Sequence, residues 1–215
     1  MTRLAVFDCD GTLVDGQADV CWAMEQAYAK AGLPSPDTNL VRRMVGLSLP
    51  VAVRALNPEI SDDAVNAVTD LFKANFRARR KEGLVEEPLY DGITDLLHRL
   101  HDGGWQLAVA TGKSDRGLSA CLATHGLTEL FVSLQTADRH PSKPNPAMLE
   151  AALFEAGAKP SEAVMIGDTR FDMHMAVAAN VRAIGVAWGY HEPDELREAG
   201  AENVAQTMAE LERLL

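Results

Sequence analysis

Two pairs of carboxylates could do chemistry together. Asp8 and Asp10 flank Cys9 ahead of Gly11-Thr12, and Asp168 and Asp172 close the run Gly167-Asp168-Thr169-Arg170-Phe171-Asp172. At i and i+2 on an extended segment the first two carboxylates point the same way. Burying them unpaired would cost several kcal/mol, so a structural role needs a cation nearby. Plainer roles exist, because Asp before Gly favours turns and Asp168 could cap a helix. Capping does not explain Asp172, which follows at i+4 on the same helix face, where like charges repel. Four such carboxylates meeting at one place ask for a divalent ion, and hard oxygen ligands suit Mg²⁺, which also takes substrate phosphate. Thr111-Gly112-Lys113-Ser114 looks like part of a nucleotide P-loop, but Leu107 stands where that motif needs glycine. What remains is a hydroxyl and backbone N–H groups at a strand-to-helix turn, a place for an anion or an N-cap by Ser114 or Thr111. Ser142-Lys143-Pro144-Asn145-Pro146 carries one lysine on a backbone stiffened by proline. It is either a loop lysine or an ammonium fixed against an oxyanion.

These residues need a scaffold that brings them together. Short apolar runs at 4–7, 106–110, 163–166 and 182–186 lack strict alternation and predict strands buried on both faces, as in a parallel sheet. Helical spacing lies between them, at Ile93, Leu96, Leu97 and Leu100, at 118–122 and at 148–154. The alternation predicts a doubly wound, Rossmann-like α/β sheet, whose ligands bind beyond the carboxyl ends of the strands. Asp8, Thr111 and Asp168 each fall there. The interval after the first strand reads instead as helices, at 20–31, 40–45, 51–56 and 63–81. The expected organisation is an α/β core of residues 1–15 and 87–215 with an inserted α-helical cap, residues 16–86. The basic run 77–81 reads as the solvated end of a long helix, favourably placed against its dipole. The tail, 194–215, shows helical spacing at Leu196, Val204, Met208, Leu211 and Leu215.

The chain has 215 residues, with 20 Lys+Arg against 31 Asp+Glu, giving 20 − 31 = −11 at pH 7. Such a balance disfavours nucleic acid and anionic membrane surfaces as partners. No apolar stretch approaches a membrane span and no secretory signal is evident. Three cysteines without a CxxC read as reduced thiols, so a cytoplasmic location is expected. A length of this kind is compatible with monomer or homodimer.

The ordered set Asp8/Asp10, Thr111, Lys143 and Asp168/Asp172 resembles the haloacid-dehalogenase superfamily of phosphohydrolases, in four motifs that span essentially the whole chain. The helical insertion is similar to the small cap of the branch containing phosphoglycolate phosphatase and β-phosphoglucomutase. The resemblance implies a Mg²⁺-dependent phosphatase acting on a small phosphorylated metabolite, with phosphoglycolate as a candidate. Asp8 is then the nucleophile that forms an aspartyl-phosphate, and Asp10 the acid that protonates the leaving alcohol and the base that activates water. Thr111 and the backbone at Gly11 and Gly112 would hold phosphoryl oxygens, and Lys143 would offset charge. The metal would take Asp8, the Asp10 carbonyl and Asp168, with Asp172 in support. In the cap, specificity is expected in residues 42–49, with Arg43 or Ser48 facing the site. A phosphomutase, a nucleotide or pyrophosphate phosphohydrolase, and a catalytically silent phosphate-binding protein are the alternatives. A dehalogenase is disfavoured by Asp10, Asp168 and Asp172.

Overall fold

A computed structural model describes residues 2–215. Six strands form one parallel sheet: β1 (Leu4–Phe7), β2 (Gln106–Thr111), β3 (Phe131–Thr136), β4 (Ala163–Gly167), β5 (Arg182–Val186) and β6 (Asn203–Ala205), in the order β3-β2-β1-β4-β5-β6. Strand β1 lies between β2 and β4, with Phe7 opposite Val109 on one side and Ile166 on the other. The winding therefore reverses at β1, and the crevice beyond its carboxyl end is the switch point of a doubly wound sheet. Every β1 side chain is buried. Ala5 and Phe7 join the apolar cluster on one face, and Leu4 and Val6 that on the other. That two-sided burial is why the run reads as continuously apolar.

Helices α1 (Gln17–Lys30), α2 (Thr38–Met44), α3 (Leu49–Leu56) and α4 (Asp62–Lys81) follow β1. They pack around their own cluster, which includes Met24, Tyr28, Val41, Val53 and Val68. The chain leaves for these helices and returns at adjacent points: Asp15 N donates to Pro88 O at 2.9 Å, and Val14 bridges Leu89. The remaining helices are α5 (Ile93–Asp102), α6 (Asp115–Thr124), α7 (Ala147–Ala156), α8 (Arg170–Ala178), α9 (Pro193–Glu198) and α10 (Met208–Leu214).

Three expectations need correction. The sheet has two further strands, β3 and β6. In β3 the inward Ser133 and Gln135 bond to each other, so polar residues break its apolar run. In the tail, Val204 belongs to β6, so the single helical spacing there is a chance alignment of a helix, a strand and a helix. The basic run does end α4, but it is not simply solvated. Arg79 pairs with the buried Asp19 and lies over Trp22, while Arg80 pairs with Glu87 at 2.7 Å.

Candidate active site

Asp8 is the first residue after β1, Thr111 ends β2, and Asp168 follows β4, so three adjacent strands deliver them to one crevice. Gly11, at φ 84°, turns the chain back over that crevice; a side chain there would run into the Asp168 carboxylate. Thr12 then donates its hydroxyl to Asp168 Oδ1 at 2.9 Å, and Tyr190 N donates to Oδ2 at 2.9 Å.

The centre of the site is a buried ammonium. Lys143 Nζ lies 2.9 Å from Asp8 Oδ1 and 2.6 Å from Asp172 Oδ1, and none of the three side chains is exposed. Burial opposes the charge on Lys143, but Asp172 and Asp8 outweigh it and hold its pKa above the usual lysine range. Asp172 Oδ2 accepts from Thr169 N and from Thr169 Oγ1, at 3.0 and 2.7 Å. The cap of α8 is thus Thr169 rather than Asp168, and Asp172 completes its capping box. That leaves Asp168 at the strand end and commits Asp172 to holding Lys143.

Asp8, Asp168 and Asp172 offer ligand atoms within 4.8 Å of one another. Asp8 Oδ2 is buried without a hydrogen-bond partner. Burial, opposed by Lys143 and reinforced by Asp172, pushes the Asp8 carboxyl up to about 7. Burial, with Asp8 and Asp172 adding to it, also raises Asp168 well above the carboxylate range. One ammonium is too little positive charge for this group, and a dication beside Asp8 Oδ2 and Asp168 would satisfy it. The residues present therefore fit a divalent metal. The Asp10 side chain lies elsewhere, its Oδ1 2.9 Å from Lys113 Nζ, so any share it has in metal binding would come from its backbone carbonyl.

Asp10 belongs to a second group that spacing alone did not disclose. Lys113 Nζ also contacts Glu87 Oε1 at 2.6 Å, and Glu87 Oε2 takes Arg80 at 2.7 Å. Burial raises the Asp10 carboxyl while Lys113 works against it. The charged chain Asp10–Lys113–Glu87–Arg80 runs from the crevice to the end of α4. Lys113 could have been singled out from its place after Thr111-Gly112; Glu87, one of two adjacent glutamates, carried no local signal.

The other expected positions divide. Thr111 is buried at the strand end, and its hydroxyl accepts from Lys113 N at 3.2 Å. Ser114 is the cap of α6, accepting from Gly117 N at 3.1 Å. Gly112 packs against the segment before α3: a Cβ on it would lie 2.6 Å from both Gly46 O and Leu47 O. Gly11 departs from expectation, because its N–H donates to Val14 O at 2.8 Å and its contribution is the turn. Arg43 departs too. Its guanidinium pairs with Glu195 on α9, and its carbonyl accepts from His191 Nε2 at 2.9 Å, so it ties α2 to the sheet domain's surface. Ser48 N donates to Ser142 Oγ at 2.8 Å, one residue from Lys143, and Ser48 lines the cavity above Asp10.

Residues 5–186 match the family model for haloacid dehalogenase-like hydrolases. A protein named "Probable phosphatase IndB" from Dickeya dadantii is 35% identical, over 98% of this chain and 92% of its own. A phosphoglycolate phosphatase of Vibrio vulnificus (strain CMCP6) is 30% identical, over 97% and 94%. Among solved structures, a predicted phosphatase from Clostridium acetobutylicum superposes with a TM-score of 0.90 at 26% identity, covering 100% of this chain and 98% of its own.

Proposed function

Given that the chain belongs to the haloacid dehalogenase-like hydrolase family, we propose that this phosphatase hydrolyses a small-molecule phosphomonoester through an aspartyl-phosphate on Asp8. The observation that carries the reading is the Lys143 ammonium clamped between Asp8 and Asp172, at 2.9 and 2.6 Å, beside an Asp8 oxygen that has no partner. A carboxylate fixed in this way at the end of a strand can attack phosphorus without moving its backbone. Lys143 holds Asp8 in place and offsets charge where the phosphoryl oxygens gather.

Mg²⁺ is the metal we assign, held by Asp8 and Asp168 with the Asp10 carbonyl; when bound, it supplies a dication that neutralises phosphoryl charge. Asp168 is oriented for that task by Thr12 and Tyr190 N, and Asp172 acts through Lys143. Asp10, raised by burial, protonates the departing alcohol and then takes a proton from the attacking water. Thr111 and the Gly112 backbone face the phosphoryl group. Helices α1–α4 are the cap on this reading, and Gly46 and Leu47 bring it into close contact with Gly112. Among the described residues no helix is long and apolar enough to cross a membrane, and the three cysteines are free thiols; a cytoplasmic enzyme is the reading that agrees with both.

The experiment is phosphate release from 4-nitrophenyl phosphate and 2-phosphoglycolate, the latter chosen from the relatives' name, with and without Mg²⁺. Wild type should turn over at least one of them only with the metal. Asp8→Asn should be inactive, and phosphate release by that variant at the wild-type rate would refute the mechanism.

A further inference from the structure

A cavity of about 830 Å³ opens between the α1–α4 helices and the crevice. Its floor is reactive: Asp10, Gly112 and Lys113 line it. It is therefore continuous with the position of the leaving group that Asp10 serves. Its walls are largely apolar, with contributions from every helix of the insertion: Met24 on α1, Val41 and Met44 on α2, Leu49 and Leu56 on α3, and Phe76 on α4.

The size and the lining both argue against a two-carbon leaving group. Glycolate has five non-hydrogen atoms and displaces on the order of five waters, about 150 Å³ at the volume of liquid water. Cavities of several hundred Å³ with apolar walls enclose ligands of drug-like size. A polar two-carbon acid would leave most of these walls wet and gain nothing from them.

A second feature is charge. Lys73, Arg77 and Lys81 recur along one side of α4, and Arg116 on α6 joins them at the cavity wall. None of these four is in an ion pair among the described residues, unlike their neighbours Arg79 and Arg80. In a chain of net charge −11, this row of four exposed cations outnumbers the two carboxylates that share the cavity, Asp10 at its floor and Asp138. It complements an anion on the substrate, away from the phosphate.

We propose that the physiological substrate is the phosphomonoester of an apolar alcohol of about eight or more carbon-sized atoms, bearing an anionic group at the end remote from the phosphate. This rests on the phosphatase reading above and names the substrate class of the same site. The reaction balances as hydrolysis in two steps: an Asp8 oxygen bonds to phosphorus as the P–O bond to the alcohol breaks and Asp10 protonates that oxygen; water then bonds to phosphorus as the Asp8–phosphorus bond breaks, and its proton returns to Asp10.

The test is a homologous series of ω-carboxyalkyl phosphates, of which 2-phosphoglycolate is the shortest member, assayed beside plain alkyl phosphates of equal length. Burying one methylene is worth about fourfold. Accordingly kcat/KM should rise severalfold per added carbon until the cavity is filled, and each carboxylated ester should exceed its plain counterpart. Arg77→Gln should lower the ratio of carboxylated to plain ester at fixed length about three- to tenfold. Calorimetry with the matching non-hydrolysable phosphonates gives a readout independent of turnover: affinity should climb with length, with an increasingly negative heat-capacity change. If activity is greatest on 2-phosphoglycolate and phosphonate affinity is flat with length, the substrate class is wrong while the phosphatase reading stands. If no ester is hydrolysed in Mg²⁺ but long phosphonates still bind more tightly, the cavity assignment stands and the phosphatase reading fails. Absence of both effects overturns both.

Discussion

Replacing Lys143 by Met keeps most of the side-chain volume and removes the charge on which Asp8 and Asp172 depend. At an effective dielectric near 20, each of its contacts, at 2.9 and 2.6 Å, is worth about 6 kcal/mol before hydration is counted. The net cost is smaller, because the ammonium regains water on unfolding; deleting one partner of a buried pair costs about 3–5 kcal/mol. For a chain of this length that lowers Tm by about 6–20 °C. Turnover should suffer separately, by about 10²–10³ in kcat at saturating Mg²⁺, as for loss of one preorganised donor at a developing charge. The two effects can be parted with Asp172→Asn. In the Lys143→Met background that change removes one of the two stranded carboxylates, while Asn can still accept from Thr169 in place of Asp172 Oδ2. About half of the lost stability should return and none of the lost turnover. Differential scanning fluorimetry of the metal-free proteins and steady-state kinetics with Mg²⁺ measure the two quantities. A Lys143→Met enzyme within threefold of wild-type kcat, or with unchanged Tm, would refute the reasoning.

Stability should depend on pH in a direction set by Asp8. Its folded pKa of about 7 exceeds the ordinary 3.8, so its contribution is fully present below pH 4 and is lost as pH rises through 7. Metal-free protein should therefore lose stability between pH 5 and 8, by about 2.5 kcal/mol from this group. The lowered Glu87 titrates below that window and does not mask the loss. Denaturant unfolding at the two pH values checks it, and Mg²⁺ should stabilise more at pH 8 than at pH 5. Glu87→Gln should loosen Lys113 and with it Asp10, whose proton matters most for poor leaving groups. We expect kcat/KM to fall about tenfold on alkyl phosphates but less than threefold on 4-nitrophenyl phosphate; equal losses on both would show that Glu87 acts on the fold or the metal instead.

Three members of the site were legible because each sits at the end of a strand whose apolar run is unmistakable. Asp8, Thr111 and Asp168 are marked by the switch from a continuously buried run to a polar residue and a glycine, and a parallel sheet then has no choice but to deliver them to one edge. The strands that escaped notice lacked that contrast: β3 turns Ser133 and Gln135 inward, and β6 is three residues long. Lys143 could be noticed for its prolines, yet its two partners could not be foreseen, since Asp172 also completes the cap of α8.

What could not be read locally are the contacts that join the helical insertion to the sheet, because they link residues far apart in the chain with no periodicity between them. Arg43 is the clearest case. On helix phase alone it was as good a substrate ligand as Ser48, but Glu195, 152 residues on, claims its guanidinium. Glu87 is the converse, unremarkable in its acidic stretch until Lys113 and Arg80 close on it from either side. Both facts bear on specificity. Arg43 and Glu195 hold the insertion against the sheet at one edge, while Arg80, Glu87 and Lys113 fasten the other edge to Asp10. The cavity lies under the same helices, so an alcohol that fills it presses on the element to which Asp10 is tied. A substrate too small to touch Met24 or Phe76 would bind the phosphate site without engaging that element. On this arrangement chain length should raise kcat as well as lower KM, since only a long leaving group contributes binding energy to the position of its own acid.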